Sequence, residues 1–213
     1  MPAGPLITFE FLATVVLVSV SGVLSPGPLF LASTLRATRL GAISGFQFAI
    51  GHTIVEAPLV FGLTIGLAAT LNPVSLKVIS LLGAIVLLFF AALQFRQASH
   101  RVDLNTERLP SFWDKQPGVV LGVLFTALNP FFILWWLTVG LALVSQAILL
   151  GSLLGVASMY AAHIWMDYAW LTGTAKVAHQ GNFLLGKWYR ISLVIFAVAM
   201  TYFGVVFFVS AVF

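Results

Sequence analysis

The segment LSPGPLFL, Leu24–Leu31, interrupts a hydrophobic stretch that is long enough to cross a membrane. The range Phe11–Leu35 contains no charged residue, and roughly 20 apolar residues span a bilayer. Pro26 removes a backbone donor and crowds the carbonyl one turn earlier, while Gly27 and Pro28 oppose continuation of a regular helix. The sequence therefore predicts a first transmembrane helix that is broken within the membrane.

The whole chain has the composition of a membrane protein. Of its 213 residues, 61% are hydrophobic and 8% are charged, whereas charged residues make up roughly 25% of an ordinary soluble domain. Further uncharged runs are Val78–Phe95, Gln116–Ala162 and Ile191–Phe213. Runs without a polar face exclude a soluble globular domain. The chain has no cysteine, which excludes disulfides and thiolate metal sites.

The pattern predicts six transmembrane helices. They lie near residues 9–34, 42–70 and 75–95, then in two parts of a long run that ends near residue 174, and finally after residue 187. The run Gln116–Ala162 is too long for one span, so it is expected to fold back as a hairpin with its turn at Val144-Ser145-Gln146. A polar loop, Arg96–Pro117, separates the two halves.

Lysine and arginine positions predict the orientation, because positively charged loops stay on the cytoplasmic side. With an external N-terminus, every one of the ten basic residues except Lys77 lies inside. We therefore expect both termini to be external in a prokaryotic cytoplasmic membrane. The basic residues are scattered between apolar segments, which argues against a nucleic-acid surface.

Three features recur in the same order in the two halves of the chain, which indicates a duplicated unit. These are a proline-interrupted helix, a Gly-x-x-x-Gly pattern, and a histidine followed four residues later by an acid. The matching pairs are LSPGPLFL with LNPFFIL (Leu128–Leu134), Gly41/Gly45 with Gly151/Gly155, and His52/Glu56 with His163/Asp167. A unit of three spans places its second copy upside down in the membrane.

The predicted fold is therefore an all-α membrane protein with six transmembrane helices, arranged as two inverted three-helix repeats with proline-broken helices 1 and 4. It forms a single transporter domain: repeat 1 at about 1–96, a cytoplasmic loop at about 97–117, and repeat 2 at about 118–213. Secondary transporters of this architecture bind substrate where the two breaks meet. An ordinary proline kink remains the alternative for each break. The predicted substrate-binding residues are Ser25, Pro26, Gly27, Pro28, Asn129 and Pro130.

Four ionisable residues are expected inside the membrane, where a charge is costly and is therefore a functional candidate. His52 and Glu56 share one helix face, and so do His163 and Asp167. Inversion predicts that Glu56 is displaced toward the outside and Asp167 toward the cytoplasm. Histidine titrates near neutral pH, which favours proton coupling or cation binding at these residues. The alternatives are a structural hydrogen bond in each pair, or a metal site built from all four residues.

Other motifs are interpreted as packing features. Small residues in Gly-x-x-x-Gly patterns, including Gly62/Gly66 and Gly118/Gly122, allow helices to approach closely. Trp135 and Trp136 are expected to contact lipid or the helix core.

At GVLSPGP, Gly22–Pro28, the chain resembles the LysE/RhtB family of amino acid exporters. The resemblance extends over essentially the whole chain and includes the Asn129-Pro130 element. It implies proton-linked efflux of amino acids or related small metabolites. In many members a lysine follows the Asn-Pro, but here Phe131 stands at that position. The missing cation and the buried acids favour a cationic or amine-bearing substrate.

We therefore expect a secondary active exporter of amino acids or related metabolites, coupled to protons and working by alternating access. A divalent metal cation transporter that uses His52, Glu56, His163 and Asp167 is the alternative. The sequence predicts no enzyme activity, catalytic residue, cofactor or resident metal. The expected partners are a small-molecule substrate, protons and the lipid bilayer, with no nucleic acid, and a homodimer is left open.

Overall fold

The computed structural model describes residues 7–25, 27–68, 73–99, 111–180 and 187–212. Within these ranges the secondary structure is helical, and no strand occurs. The helices are α1 (Phe9–Val23), α2 (Pro28–Leu40), α3 (Ala42–Ala68), α4 (Pro73–Ala98), α5 (Ser111–Asp114), α6 (Gly118–Ala127), α7 (Pro130–Trp135), α8 (Leu141–His179) and α9 (Lys187–Val212). A π-helical segment, Trp136–Gly140, joins α7 to α8.

The first predicted break lies between α1 and α2, whose axes are bent by 71°. Helix α1 ends where the Leu24 amide bonds back to the Val20 carbonyl at 3.2 Å. Gly27 is extended (φ −97°, ψ −175°) and precedes Pro28, the first residue of α2. Proline suits this position because the first helical residue needs no amide donor. Pro26 lies outside the described residues.

The second predicted break separates α6 from α7 at Asn129-Pro130. Asn129 is the N-cap of α7, and its side-chain oxygen accepts a hydrogen bond from the Phe131 amide at 3.0 Å. This bond satisfies one of the amides that a helix start leaves without an intrahelical partner. The sequence thus located both helix breaks correctly.

The predicted turn at Val144-Ser145-Gln146 is wrong, because these residues are helical within α8. The Ser145 hydroxyl donates a hydrogen bond to the Ala142 carbonyl at 2.7 Å. This polar side chain therefore has a partner within the helix and does not require a turn. The helix bends later, at Gly151 (φ −156°, ψ 15°) and Ser152 (φ 50°, ψ −133°). A straight helix of 39 residues would be about 58 Å long, far beyond the bilayer core, so the bend divides it into two parts.

Several helices are suited to cross a bilayer. Within the described ranges, four helical stretches are long and apolar enough, and the bent pair α1 and α2 makes a fifth if it counts as one span. The four are Ala42–Leu67, Lys77–Ala98, Phe131–His179 and Leu193–Val212. Large apolar side chains such as Phe61, Leu82 and Ile195 are exposed on the outside of the bundle. The chain is therefore a multi-pass helical membrane protein.

Glycines allow α3 to pack closely against α6 and α8. A Cβ atom at Gly45 would overlap the Leu171 carbonyl of α8, and one at Gly51 would overlap the Val119 carbonyl of α6. By contrast, a Cβ at Gly62 or Gly66 would meet no described atom within 4 Å. The Gly-x-x-x-Gly patterns are thus not equivalent, since this last pair does not support packing among the described residues.

Candidate functional site

A small cavity lies where the two broken helices meet the middle of α3 and α8. Its volume is about 50 Å³. The end of α1 and the start of α2 form one wall, and α7 with the π-helical segment forms another. The lining includes Gly22, Val23, Ser25, Gly27, Leu29, Phe30, His52, Glu56, Asn129, Phe131, Phe132, Trp135, Trp136, His163, Asp167 and Leu171.

The two helix breaks are in contact beside this cavity. A Cβ atom built on Gly27 would lie 3.6 Å from the Asn129 side-chain nitrogen. Ser25, Gly27 and Asn129 line the cavity, whereas Pro28 is not among its lining residues. Pro28 is instead exposed at the start of α2. The predicted binding set is thus brought together in part, with Pro28 and Pro130 serving to begin helices.

The four predicted ionisable residues form one buried cluster. The Nε2 atoms of His52 and His163 each lie 3.1 Å from Glu56 Oε1. The same two atoms lie 3.7 Å from Asp167 Oδ1 and 3.4 Å from Asp167 Oδ2, respectively. All four side chains are buried, and Glu56 is fully so, at 0% exposure. The titratable side chains of α3 and α8 therefore lie together in one cluster.

The expected displacement of Glu56 toward the outside and of Asp167 toward the cytoplasm stays a prediction, but the two acids are not independent of each other. Both acids contact the same two histidine nitrogens. Helices α3 and α8 pack directly against each other at this level, so each imidazole reaches the acid of the other helix as well as its own. Glu56 and Asp167 therefore share one environment.

Glu56 is the hydrogen-bonding centre of the cluster. Its Oε1 atom accepts from the Trp136 indole at 3.0 Å, in addition to the two imidazoles. Hydrogen bonds to an ionised acceptor are roughly twice as strong as neutral ones. Three donors on Oε1 offset part of the loss of water around the buried carboxylate, whereas Oε2 has no hydrogen-bond partner in the described part of the chain. The geometry therefore favours a negative charge at Glu56.

Two hydroxyl groups orient the imidazole rings. The Thr126 hydroxyl lies 3.0 Å from His52 Nδ1, and the Ser19 hydroxyl lies 2.8 Å from His163 Nδ1. When the ring hydrogen is on Nε2, each neutral histidine donates to Glu56 and accepts from its hydroxyl partner. Because Ser19 is in α1 and Thr126 in α6, each histidine is bonded to the broken helix of the other half of the chain.

Aromatic rings form the remaining wall of the cluster. Trp135 stacks on His163 with ring centres 5.6 Å apart, and its indole donates to the Ser21 hydroxyl at 3.1 Å. Phe132 packs edge-on against His52 at 5.1 Å. Trp136 packs in the core as expected, and its indole nitrogen in addition donates a hydrogen bond to Glu56.

Sequence reasoning did not single out the cluster's other partners: Ser19, Ser21 and Thr126. Each is an isolated hydroxyl residue in an apolar helix, and small hydroxyl residues in such helices usually bond to their own backbone. Their one sequence signal is position, because all three come just before a proline-interrupted segment. That signal does not distinguish a histidine partner from a packing residue.

We predict that Trp136→Phe lowers both the stability and the transport rate. The variant removes the indole donor to Glu56, and a hydrogen bond to a charged group contributes about 1.5–3 kcal/mol. Thermal unfolding in detergent should show a clear loss of stability, together with slower transport in vesicles. Trp165→Phe is the matched control, because Trp165 is 55% exposed. Equal effects of the two substitutions would contradict a role for the indole hydrogen bond.

The cluster also has the composition of a cation site. One potential ligand atom from each of His52, Glu56 and Asp167 lies within 4.8 Å of the others. Imidazole and carboxylate groups suit zinc and related divalent ions. The same groups can hold a proton or an ammonium group, so their chemistry alone does not choose among cations.

A multi-pass helical bundle with a buried titratable cluster beside two helix breaks defines a membrane translocator. Comparison with protein families agrees, because residues 20–211 match the model described as LysE type translocator. The chain belongs to this family. The match supports a membrane exporter of amino acids or similar small solutes, as the resemblance in the sequence implied. Searches among curated proteins and among solved structures gave no match.

Proposed function

We propose that the protein is a secondary active exporter of amino acids or related small metabolites that couples efflux to proton entry by alternating access. One observation carries the proposal: a buried cluster of two histidines and two acids lines the cavity where both broken helices meet. Coupling requires that a proton and a substrate compete for the same groups. Acids that share their histidine partners provide such a site.

We further propose that six spans form two inverted three-helix repeats. The first repeat comprises the α1/α2 pair, α3 and α4. The second comprises the unit from α6 to the bend in α8, the part of α8 after the bend, and α9. The reciprocal bonds His52–Thr126 and His163–Ser19 support this assignment, because each histidine reaches the broken helix of the opposite repeat. Both termini are then external in a prokaryotic cytoplasmic membrane.

The cluster connects the elements that must move during transport. Helices α1 and α6 contribute Ser19 and Thr126, while α3 and α8 contribute the histidines and acids. Any cation that enters the cluster changes the charge that holds these four helices together. Protonation and substrate binding therefore act on the same interhelical contacts, which is the physical requirement for alternating access.

Reconstitution into proteoliposomes tests the proposal. Vesicles loaded with one unlabelled amino acid at a time should take up the same labelled amino acid by counterflow. A proton gradient should drive uphill movement, and an uncoupler should abolish it. Failure of every amino acid in counterflow, in vesicles that retain folded protein, would overturn the proposed substrate class. Uphill movement that is insensitive to the uncoupler would overturn proton coupling.

Divalent metal transport is the second candidate, favoured by the close approach of ligand atoms from His52, Glu56 and Asp167. Sealed vesicles that contain a metal-sensitive fluorophore would report entry of zinc or manganese as quenching. Under the first proposal, quenching in protein-containing vesicles equals that in empty vesicles. Rapid quenching that disappears in His52→Gln would instead support metal transport.

A further inference from the structure

The cavity is electrically asymmetric. Two acids, Glu56 and Asp167, line it, whereas no lysine or arginine is among the described residues of its lining. A substrate with a carboxylate must therefore find neutral N–H donors in this cavity. The start of α2 and the side chain of Asn129 supply them.

Helix α2 presents its N-terminus to the cavity. Its N-cap, Gly27, has no side chain to bond the first amides, and both Gly27 and Leu29 line the cavity. The Leu29 amide has no acceptor within the described chain. Amides at a helix start combine free donors with the positive end of the helix dipole, so they bind carboxylate groups well. Helix α2 has 13 residues, which is long enough for this effect.

Asn129 is a second, independent donor aimed at the same place. Its side chain is only 8% exposed, and its oxygen is already used by the Phe131 amide. Its nitrogen has no acceptor among the residues that the structure describes, and it lies beside Gly27. Because Asn129 lines the cavity, its NH₂ group can donate to an oxygen anion bound there.

The acidic side chains of the cluster can bind the positively charged end of a substrate. With the ring hydrogens directed at Glu56, Asp167 receives no donor from either histidine. Its Oδ2 atom has no hydrogen bond of good geometry in the described part of the chain. An ammonium group carries three donors and a positive charge, which match this buried carboxylate.

We propose that the cavity binds a small zwitterionic α-amino acid in one orientation. This inference rests on the proposed export of amino acids. The carboxylate of the substrate is held by the N-terminus of α2 and the amide of Asn129, and its ammonium group faces Asp167 and Glu56. The small cavity volume of about 50 Å³ favours a short side chain, such as that of glycine or alanine. Both poles of the substrate are thus recognised, not the amine alone.

Competition on the wild-type protein tests this orientation. Counterflow of labelled alanine should be inhibited by unlabelled glycine or alanine, and at least tenfold more weakly by ethylamine or propionate, which each lack one pole. Phenylalanine should also compete at least tenfold more weakly. Equal inhibition by ethylamine and alanine would overturn the carboxylate contact while leaving amino acid transport intact. Absence of counterflow for all amino acids would instead overturn the underlying transport proposal.

The variant Asn129→Asp tests the donor directly. Aspartate is as good an N-cap as asparagine, so the bond to the Phe131 amide is kept while the NH₂ group is replaced by an oxygen anion. The apparent affinity for alanine should fall at least tenfold in the folded protein. Phe61→Leu, on the exposed side of α3, is the control and should transport alanine like the wild type. An unchanged alanine affinity in folded Asn129→Asp would overturn the proposal. Should that variant not fold, the competition on the wild-type protein decides.

Discussion

Glu56→Gln is expected to abolish uphill, proton-driven transport, with a rate at least a hundredfold below that of the wild type. The substitution keeps the size of the side chain but removes the charge to which two imidazoles and one indole donate. Charge-assisted hydrogen bonds become ordinary ones, and the cluster loses a group that would exchange a cation. Initial rates in proteoliposomes with an imposed proton gradient measure the effect.

Glu10→Gln makes the same chemical change at an exposed position in the first turn of α1. We expect this control to retain wild-type transport. Folded protein must be confirmed for both variants by gel filtration and thermal unfolding. If Glu56→Gln kept more than a tenth of the wild-type uphill rate, the buried acid would not be part of the coupling mechanism.

Gly45→Ala is expected to have the largest effect on stability. The new methyl group would overlap the carbonyl of Leu171 and lie 2.8 Å from the Ala175 side chain, so α3 and α8 must separate. Overpacking typically costs 1–3 kcal/mol, and more where a backbone atom is the obstacle. Because α3 and α8 carry all four ionisable residues, their separation would also disrupt the cluster. A large fall in the unfolding temperature and in folded yield should follow.

Gly62→Ala, in the same helix, is the matched control. Its methyl group would meet no described atom within 4 Å, and alanine favours a helix interior by roughly 0.5–1 kcal/mol over glycine. This variant should be as stable as the wild type or slightly more so. Similar unfolding temperatures for the two alanine variants would show that the close contact of α3 with α8 does not limit stability.

The helix breaks and the ionisable pairs could be predicted because they follow from local chemistry. Proline prevents a regular helix at a defined residue, and a spacing of four puts His52 beside Glu56 whatever the rest of the chain does. The bend in α8 was misplaced for a related reason. Polar Ser145 and Gln146 favoured a turn, but Ser145 satisfies its own hydroxyl within the helix. The helix instead bends at Gly151 and Ser152, whose backbone angles are not helical.

The contacts between helices could not be read from one sequence. The bond from Trp136 to Glu56 depends on how far α7 is rotated relative to α3, and no residue pattern sets that angle. The same holds for Ser19 with His163. Likewise, Gly45 and Gly62 look alike in sequence, although only Gly45 touches another helix among the described residues. Spacing along the sequence thus predicts which side chains share one face of a helix. Contacts between side chains of different helices depend on how the helices pack.

The π-helical segment Trp136–Gly140 forms part of the cavity wall through Trp136. A π turn holds one residue more than an α turn, which rotates the preceding chain by about 100° about the helix axis. If this extra residue migrates one position along the backbone, Trp136 swings away from Glu56 while most carbonyl-to-amide bonds simply exchange partners. A one-residue shift of the π turn would therefore change the direction of the Trp136 indole without unwinding the helix.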